Sequence, residues 1–269
     1  MQPHPLNTSF EWRPATPSRR LLTDEQARQW DEQGYLLLEG VVPLDLLAQV
    51  TAEIDPVEER LTEWLRRNGG HVSIADADAI TFTTHIVRRS ELVRSFAAGE
   101  PFASIVADLI GPEVRLYWDQ AVYKKPEPER EFPWHQDNGY TFVEPQQYVT
   151  CWVPLVDATA ENGCPQVAPG VHLGGTLAHD WIDPIGFQCI DAPPDAVTVE
   201  AKAGDVVVFS SLTPHRTGPN RTAEVRKAYI LQYAPDGARV VADGDDASQG
   251  HVCDDPDRQF PVLLGGEPA

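Results

Sequence analysis

Asp205-Val206-Val207-Val208-Phe209-Ser210-Ser211 is a continuous apolar run closed by small hydroxyl residues, and His215 follows four residues later. A short run this rich in β-branched side chains reads as a buried strand. Gly218-Pro219-Asn220 then turns the chain, and residues 225–233 return as the next strand. A hairpin of this kind would bring Arg226 back beside the strand that leads to His215.

Outward from this point the same texture recurs. Residues 114–123, 148–156, 197–200, 206–210 and 228–233 are short and rich in β-branched and aromatic residues. Glu161-Asn162-Gly163, Pro169-Gly170 and Ala203-Gly204-Asp205 punctuate them. The first 112 residues differ. Thr23 or Asp24 caps a helix that ends at Gly34, and Tyr35-Leu36-Leu37-Leu38 follows as a short strand. Pro43 opens a second helix, with Leu44, Leu47, Val50, Ile54, Leu61 and Leu65 at helical spacing and a break or kink expected at Pro56. Residues 92–110 read as two short helices separated near Gly99–Pro101. Helices first and then a run of strands predict a β-sandwich or small barrel with helices on one side. The domain reading is a loosely held tail over 1–20 and one domain over 21–269. Within that domain a helical part covers about 21–112, a strand-rich core about 113–235, and a surface loop 236–269, including Asp243-Gly244-Asp245-Asp246.

Composition narrows the function. The chain has 269 residues and a formal net charge of −20, so nothing basic is available to neutralise phosphates, which argues against nucleic acid. No apolar run is long enough to span a bilayer, which argues against a membrane protein. The N-terminus lacks the pattern of a secretory signal. Four cysteines without CxxC spacing read as reduced thiols, and a cytoplasmic location is expected.

His135-Gln136-Asp137 carries the chemistry. Positions two apart on a strand share a face, so His135 and Asp137 would reach one metal together. His215 lies 78 residues beyond Asp137. Two histidines and one carboxylate form the facial triad that holds Fe(II) with positions open for oxygen chemistry. The same set also suits Zn(II) in a hydrolase. Arg226, 11 residues after His215, needs an anion if it points inward, either a ligand carboxylate or one of the chain's 41 acidic residues. Other histidines (His85, His172, His179, His251) read as hydrogen-bonded or solvated, and His251-x-Cys253-Asp254 is a weaker metal candidate.

Taken in order, His135-x-Asp137, His215 and Arg226 resemble the phytanoyl-CoA dioxygenase family of Fe(II)/2-oxoglutarate oxygenases. Leu22 to Leu36, Tyr123-Lys124-x-Pro126, Trp134 to Asp137, Val149 to Leu155, Glu161 to Cys164 and Pro169-Gly170-Val171-His172 are similar to family segments, together over about residues 22–234. The resemblance implies a mainly β fold, a double-stranded β-helix (jelly roll, cupin-like) with flanking N-terminal helices. It implies Fe(II), O2 and 2-oxoglutarate as the cofactor set. His135, Asp137 and His215 would hold the metal. Arg226 would clamp the distal carboxylate of 2-oxoglutarate, with Thr217 adding a hydroxyl and Trp152 packing beside it. Lys124, Thr150 and Gln120 are further candidates for contact with the co-substrate. Val171 in place of serine and Arg216 after the second histidine depart from the family pattern, and both bear on the pocket mouth.

The implied reaction hydroxylates a C–H bond of a small metabolite, with release of succinate and CO2. Desaturation, epoxidation and rearrangement are the alternatives. The intact carboxylate at Asp137 argues against halogenation, since related halogenases have a small residue there. Trp118, Trp134, Tyr140, Phe142, Trp181 and Phe187 flank the site in sequence and suggest an aromatic-lined pocket. A non-catalytic jelly-roll binding protein remains a further reading, and it requires an incomplete triad.

Overall fold

The computed structural model describes residues 1–242 and 250–269. Helix α1 (Asp24–Gln33) begins with a reciprocal capping box between Thr23 and Gln26 and ends at Gly34 in the left-handed conformation. Strand Tyr35–Leu38 follows directly. Helix α2 (Leu44–Arg67) then runs unbroken through Pro56, where a break was expected. Pro56 and Ala52 are both exposed, so the carbonyl that loses its N–H partner faces water. On the opposite face, Val50, Ile54, Val57 and Leu65 are buried and hold the helix to the core. Leu44, counted on that face from its spacing, is instead exposed. Helices α3 (Glu91–Ala98) and α4 (Phe102–Leu109) are separated at Gly99–Pro101, as their spacing predicts.

The strands form two facing antiparallel sheets. The larger carries, in spatial order, Tyr35–Leu38, Val206–Ser210, Val149–Pro154, Arg226–Pro235, Val114–Lys124 and Ile80–Thr84. The smaller carries Val197–Thr198, Pro165–Val167, His215–Thr217 and Phe132–His135. From Val114 to Pro235 the chain passes back and forth between the two sheets, except that Pro165–Val167 and Val197–Thr198 follow one another in the smaller one. That winding makes a double-stranded β-helix, a jelly roll. It also corrects the expected hairpin. Arg226 lies in the sheet opposite His215, and Val149–Pro154 separates its strand from Val206–Ser210.

Strand alternation sorts the side chains of the larger sheet. Val149, Cys151, Val153, Val206, Val208, Tyr229 and Leu231 join the main core against the helices. Trp152, Val207, Phe209 and Ala228 face the barrel interior. Both faces are covered, so the strand at 206 reads as an unbroken apolar run rather than an alternating one.

Both chain ends are better tied than their composition suggests. The first twenty residues, expected as a loose tail, cross the barrel. His4 N–H donates to Thr176 O (2.9 Å), Ala15 N–H donates to the Asp31 carboxylate (2.9 Å), and Trp12 packs against Trp30 and His172. Residues 236–269, expected as a loop, supply Arg239–Val240 and His251–Val252 to a three-stranded ribbon with Val143–Glu144. They also supply Pro261–Leu264, which extends the larger sheet beside Val114–Lys124. Asp243-Gly244-Asp245-Asp246 lies outside the described residues. Among those described, no helix is long and apolar enough to cross a membrane. All four cysteines are free thiols.

Candidate metal and co-substrate site

Phe132–His135 and His215–Thr217 are neighbouring antiparallel strands, and His135 stands directly opposite His215 in their register. Side chains of such a pair project to one side at close range. The two imidazole centroids are 4.2 Å apart. Asp137 does not belong to the strand, contrary to the same-face argument. The strand ends at His135, and Asp137 opens a 3-10 turn (Asp137–Gly139). The turn still returns its carboxylate to the histidines, with Oδ1 4.0 Å from His135 Nε2 and 3.8 Å from His215 Nε2. One donor atom from each residue lies within 4.8 Å of the other two.

Each donor is aimed by a second partner. His135 Nδ1 donates to Pro133 O (2.8 Å) and His215 Nδ1 to Thr213 O (3.0 Å), in both cases the carbonyl two residues upstream. These bonds leave both Nε2 lone pairs for a metal. The Thr150 hydroxyl donates to Asp137 Oδ2, which leaves Oδ1 toward the histidines. Burial pushes the imidazoles below their ordinary range, His135 to about 3 and His215 to about 4, so both are neutral and able to ligate at physiological pH. Burial raises the Asp137 carboxyl, opposed by His135 and by hydrogen bonds from Thr150 and Gln232.

Residues between and beside the ligands hold the turn, and the sequence reading passed over them. The fully buried Gln136 side chain donates to Gly175 O (3.0 Å) and Leu212 O (2.6 Å), and accepts from Leu177 N–H (2.6 Å). The Asn138 side chain donates to the Thr176 hydroxyl (2.7 Å) and accepts from Val143 N–H (2.9 Å). His179 Nε2 accepts the Gln136 N–H (2.9 Å), and its ring lies where any Cβ at Gly139 would be. For Gln136 and Asn138 the only sequence signal is adjacency to the motif, whereas the sequence flags His179 without this contact. His179 and buried His172 take hydrogen-bonding roles and His251 is exposed, as expected of histidines outside the ligand set.

Behind the triad a cavity runs into the barrel. Gln120, Thr150, Trp152, Thr217 and Arg226 all line it, together with His135, Asp137 and His215. Arg226 is 1% exposed. Its Nη1 donates to Val122 O (3.3 Å), while Nε and Nη2 are buried without partners. The guanidinium lies 5.3 Å from the centre of the Trp152 ring. Among the described residues it makes no ion pair, so the internal salt bridge that would have explained it is missing. Burial lowers its pKa to about 10. A buried cation with unused donors fits a carboxylate, and a dicarboxylic keto acid reaching from the triad would supply one.

Lys124 is brought near but not onto the cavity wall. Its ammonium donates to the carbonyls of Arg130, Thr217 and Gly218, so it ties the two sheets together beneath the site. Burial and then Arg226 hold its pKa well below the usual lysine range. The two departures from the family pattern also stay off the walls. Arg216 turns outward to Gln166 and Glu131, and Val171 lies in a separate 3-10 turn. Of the six aromatic residues flagged from sequence, Trp118 and Tyr140 line a second chamber on the outer side of the triad. Phe187 packs behind Tyr140 and against Trp181, Trp134 lies under Arg216, and Phe142 stacks on His4.

Comparison with known proteins gives the family and the fold. The model of the family described as Phytanoyl-CoA dioxygenase (PhyH) matches residues 30–228. A probable phytanoyl-CoA dioxygenase from Caenorhabditis elegans is 27% identical over 238 residues, covering 80% of this chain and 76% of its own. A 2-aminoethylphosphonate dioxygenase from the uncultured bacterium HF130_AEPn_1 is 27% identical over 220 residues, covering 78% and 81%. Among solved structures, the epimerase SnoN in complex with Fe3+, alpha ketoglutarate and nogalamycin RO superposes with a TM-score of 0.69 at 21% identity, over 89% of this chain and 98% of that one. At that identity the likeness speaks for the fold.

Proposed function

The chain belongs to the phytanoyl-CoA dioxygenase family, and on that premise we propose that it is a non-haem Fe(II)- and 2-oxoglutarate-dependent dioxygenase that hydroxylates a C–H bond of a small metabolite. The observation that carries the reading is the pairing of a complete His135–Asp137–His215 donor set with a buried guanidinium whose Nε and Nη2 have no hydrogen-bond partner among the described residues, both on one cavity. A zinc hydrolase would use the donors and leave Arg226 without a purpose. A binding protein would need neither.

In this reading His135, Asp137 and His215 hold the metal through Nε2, Oδ1 and Nε2. Bound iron would supply O2 activation coupled to oxidation of 2-oxoglutarate to succinate and CO2. The protein's own residues bind, orient and exclude water. Arg226 holds the distal carboxylate by charge-assisted hydrogen bonds, and the Thr217 hydroxyl adds a donor there. Trp152 supplies a ring face beside the guanidinium, and apolar Val122, Phe209 and Ile230 keep the channel dry. Thr150 and the Gln136 and Asn138 networks fix the carboxylate of Asp137. Gln120 lines both chambers and marks their junction.

The test is anaerobic titration of Fe(II) and 2-oxoglutarate, followed by succinate release in air. A visible charge-transfer band that needs both additions, and iron-dependent succinate, are expected. Zn(II)-supported hydrolysis without succinate would overturn the assignment. Desaturation, epoxidation or rearrangement would leave the same co-substrate chemistry in place and change only the organic product.

A further inference from the structure

The outer chamber is a cavity of about 360 Å³ that shares His135, Asp137, Phe132, Phe82 and Gln120 with the inner one. Small-molecule pockets span roughly 300–1,000 Å³, so this chamber suits a compact substrate. Phe82, Tyr117, Trp118, Phe132, Tyr140 and Tyr148 give its wall an aromatic character. Thr84, Gln120, Thr141 and Gln232 supply neutral hydrogen-bonding groups. Among the described residues the metal-ligand pair contributes the only ionisable acid or imidazole on the wall, and no lysine or arginine lines it.

Two guanidiniums lie near the wall, Arg130 through Ile74 and Arg258 through His85, which packs on Trp118, and both are engaged. Arg130 pairs with Asp76 (2.9 Å) and donates to Ile74 O. Arg258 pairs with Asp255 (2.9 Å) and contacts His85 Nε2. Residues 243–249 contain no lysine, arginine or histidine, so their composition supplies no cation either. Arg226 faces the inner chamber, where the keto acid needs it.

We propose, resting on the dioxygenase reading, that the primary substrate is an uncharged, ring-bearing small molecule whose oxygen accepts a hydrogen bond from Gln120, and that this chamber discriminates against anions. An anion entering it would lose its hydration without gaining a lysine or arginine counter-charge, which opposes its binding. A neutral ring gains apolar contact with six aromatic faces at no such cost. Trp118 Nε1 donates to Gln120 Oε1 (3.3 Å), which leaves the Gln120 amide NH2 as the donor toward the chamber. Gln120 is therefore assigned as the residue that orients the substrate at the mouth of the metal site. Phosphonates and carboxylates, whose anionic group would itself enter the chamber, are the classes excluded.

The experiment uses a neutral and an anionic isostere, β-naphthamide and β-naphthoate, with α-tetralone and methylphosphonate as further probes. Each is titrated into the anaerobic protein loaded with Fe(II) and 2-oxoglutarate, and binding is read as perturbation of the visible band. The amide is expected to bind at least about tenfold more tightly than the carboxylate, since each 1.4 kcal/mol is a factor of ten. Thr141→Arg places a guanidinium at the exposed edge of the chamber and should narrow that ratio. Equal or tighter binding of β-naphthoate or methylphosphonate overturns the proposal. So does an unchanged ratio in Thr141→Arg, or a failure of both neutral probes to perturb the band. Failure of the band to form with Fe(II) and 2-oxoglutarate sinks the dioxygenase reading itself, and this proposal with it.

Discussion

Arg226 is held in the barrel by one weak backbone contact, one aromatic face and no carboxylate. Without an anion this arrangement opposes folding, because a buried charge lacks its compensation. Two opposite effects of Arg226→Met follow. The KM for 2-oxoglutarate should rise by roughly ten- to hundredfold, as charge-assisted hydrogen bonds are lost. The melting temperature of the metal-free protein without keto acid should rise by ~2–4 °C per kcal/mol recovered. An unchanged KM in steady-state assays, or a lower apo melting point, would assign Arg226 a structural role. The two histidines make a simpler case. His135→Ala or His215→Ala should abolish iron-dependent succinate formation while the far-ultraviolet circular dichroism stays native. At this scale the residue types were readable in the chain: two imidazoles, a carboxylate and a guanidinium at telling distances. The tautomers were not, because they depend on the carbonyls of Pro133 and Thr213.

Elements place those residues, and Gly34 shows how a helix end reaches the metal site. It closes α1 with φ +78°, and a Cβ there would meet His172 Nδ1 and Thr213 Oγ1 at 2.5 Å. The Thr213 hydroxyl donates to Gly34 O (2.7 Å), and the Thr213 carbonyl orients His215. Gly34→Ala should therefore destabilise by about 2 kcal/mol or more, from left-handed strain plus overpacking, and weaken Fe(II) binding. Gly40→Ala is the control. Its φ is +63° with open space around a Cβ, so it should lose only about 1 kcal/mol and keep Fe(II) affinity. Chemical denaturation and Fe(II) titration separate the two, and equal behaviour would refute the coupling. Most elements were legible, since α1, α3, α4 and the strand at 206 follow their caps and apolar spacing. Pro56 and Asp137 show why other readings failed for tertiary reasons. Pro56 is tolerated where its orphaned carbonyl meets water. Asp137 leaves the strand because Gln136 and Asn138 bond to loops around residues 175, 177 and 212 that lie far away in the chain.

For the whole molecule, linkage gives two measurable consequences. On the proposed function Fe(II) and 2-oxoglutarate would bind the folded chain in preference to its unfolded form, so together they should raise the melting temperature by more than the sum of their separate effects, because the metal would complete the keto-acid site. Simple additivity in a thermal-shift series would argue that the two sites are independent. Acid acts through His172, which packs against Trp12 and bonds to Asp31 O at the seam between tail, α1 and barrel. Burial lowers its pKa to about 4. The unfolded chain takes up this proton near pH 6.5, while the folded chain resists until about 4. The contribution is thus fully present above pH 6.5 and is lost as pH falls toward 4. His135, His179 and His215 are lowered in the same way, so His172→Asn should remove one share of the acid-induced loss and make the stability profile less steep in that window, and denaturation curves at pH 7 and 5 measure it.

The chain by itself determined the chemistry and the general architecture. Residue types at the triad and at 226, apolar runs covered on both faces, and turn residues between them are local properties, and local physics reads them. Tertiary structure decided what those residues face. It set Arg226 across the barrel from His215, gave Lys124 to backbone carbonyls, took Asp137 off its strand and, among the described residues, left the outer chamber without a lysine or arginine on its wall. Each of these depends on which distant segments lose water together, and free energies of burial and charge pairing are set by that company rather than by neighbours in the chain.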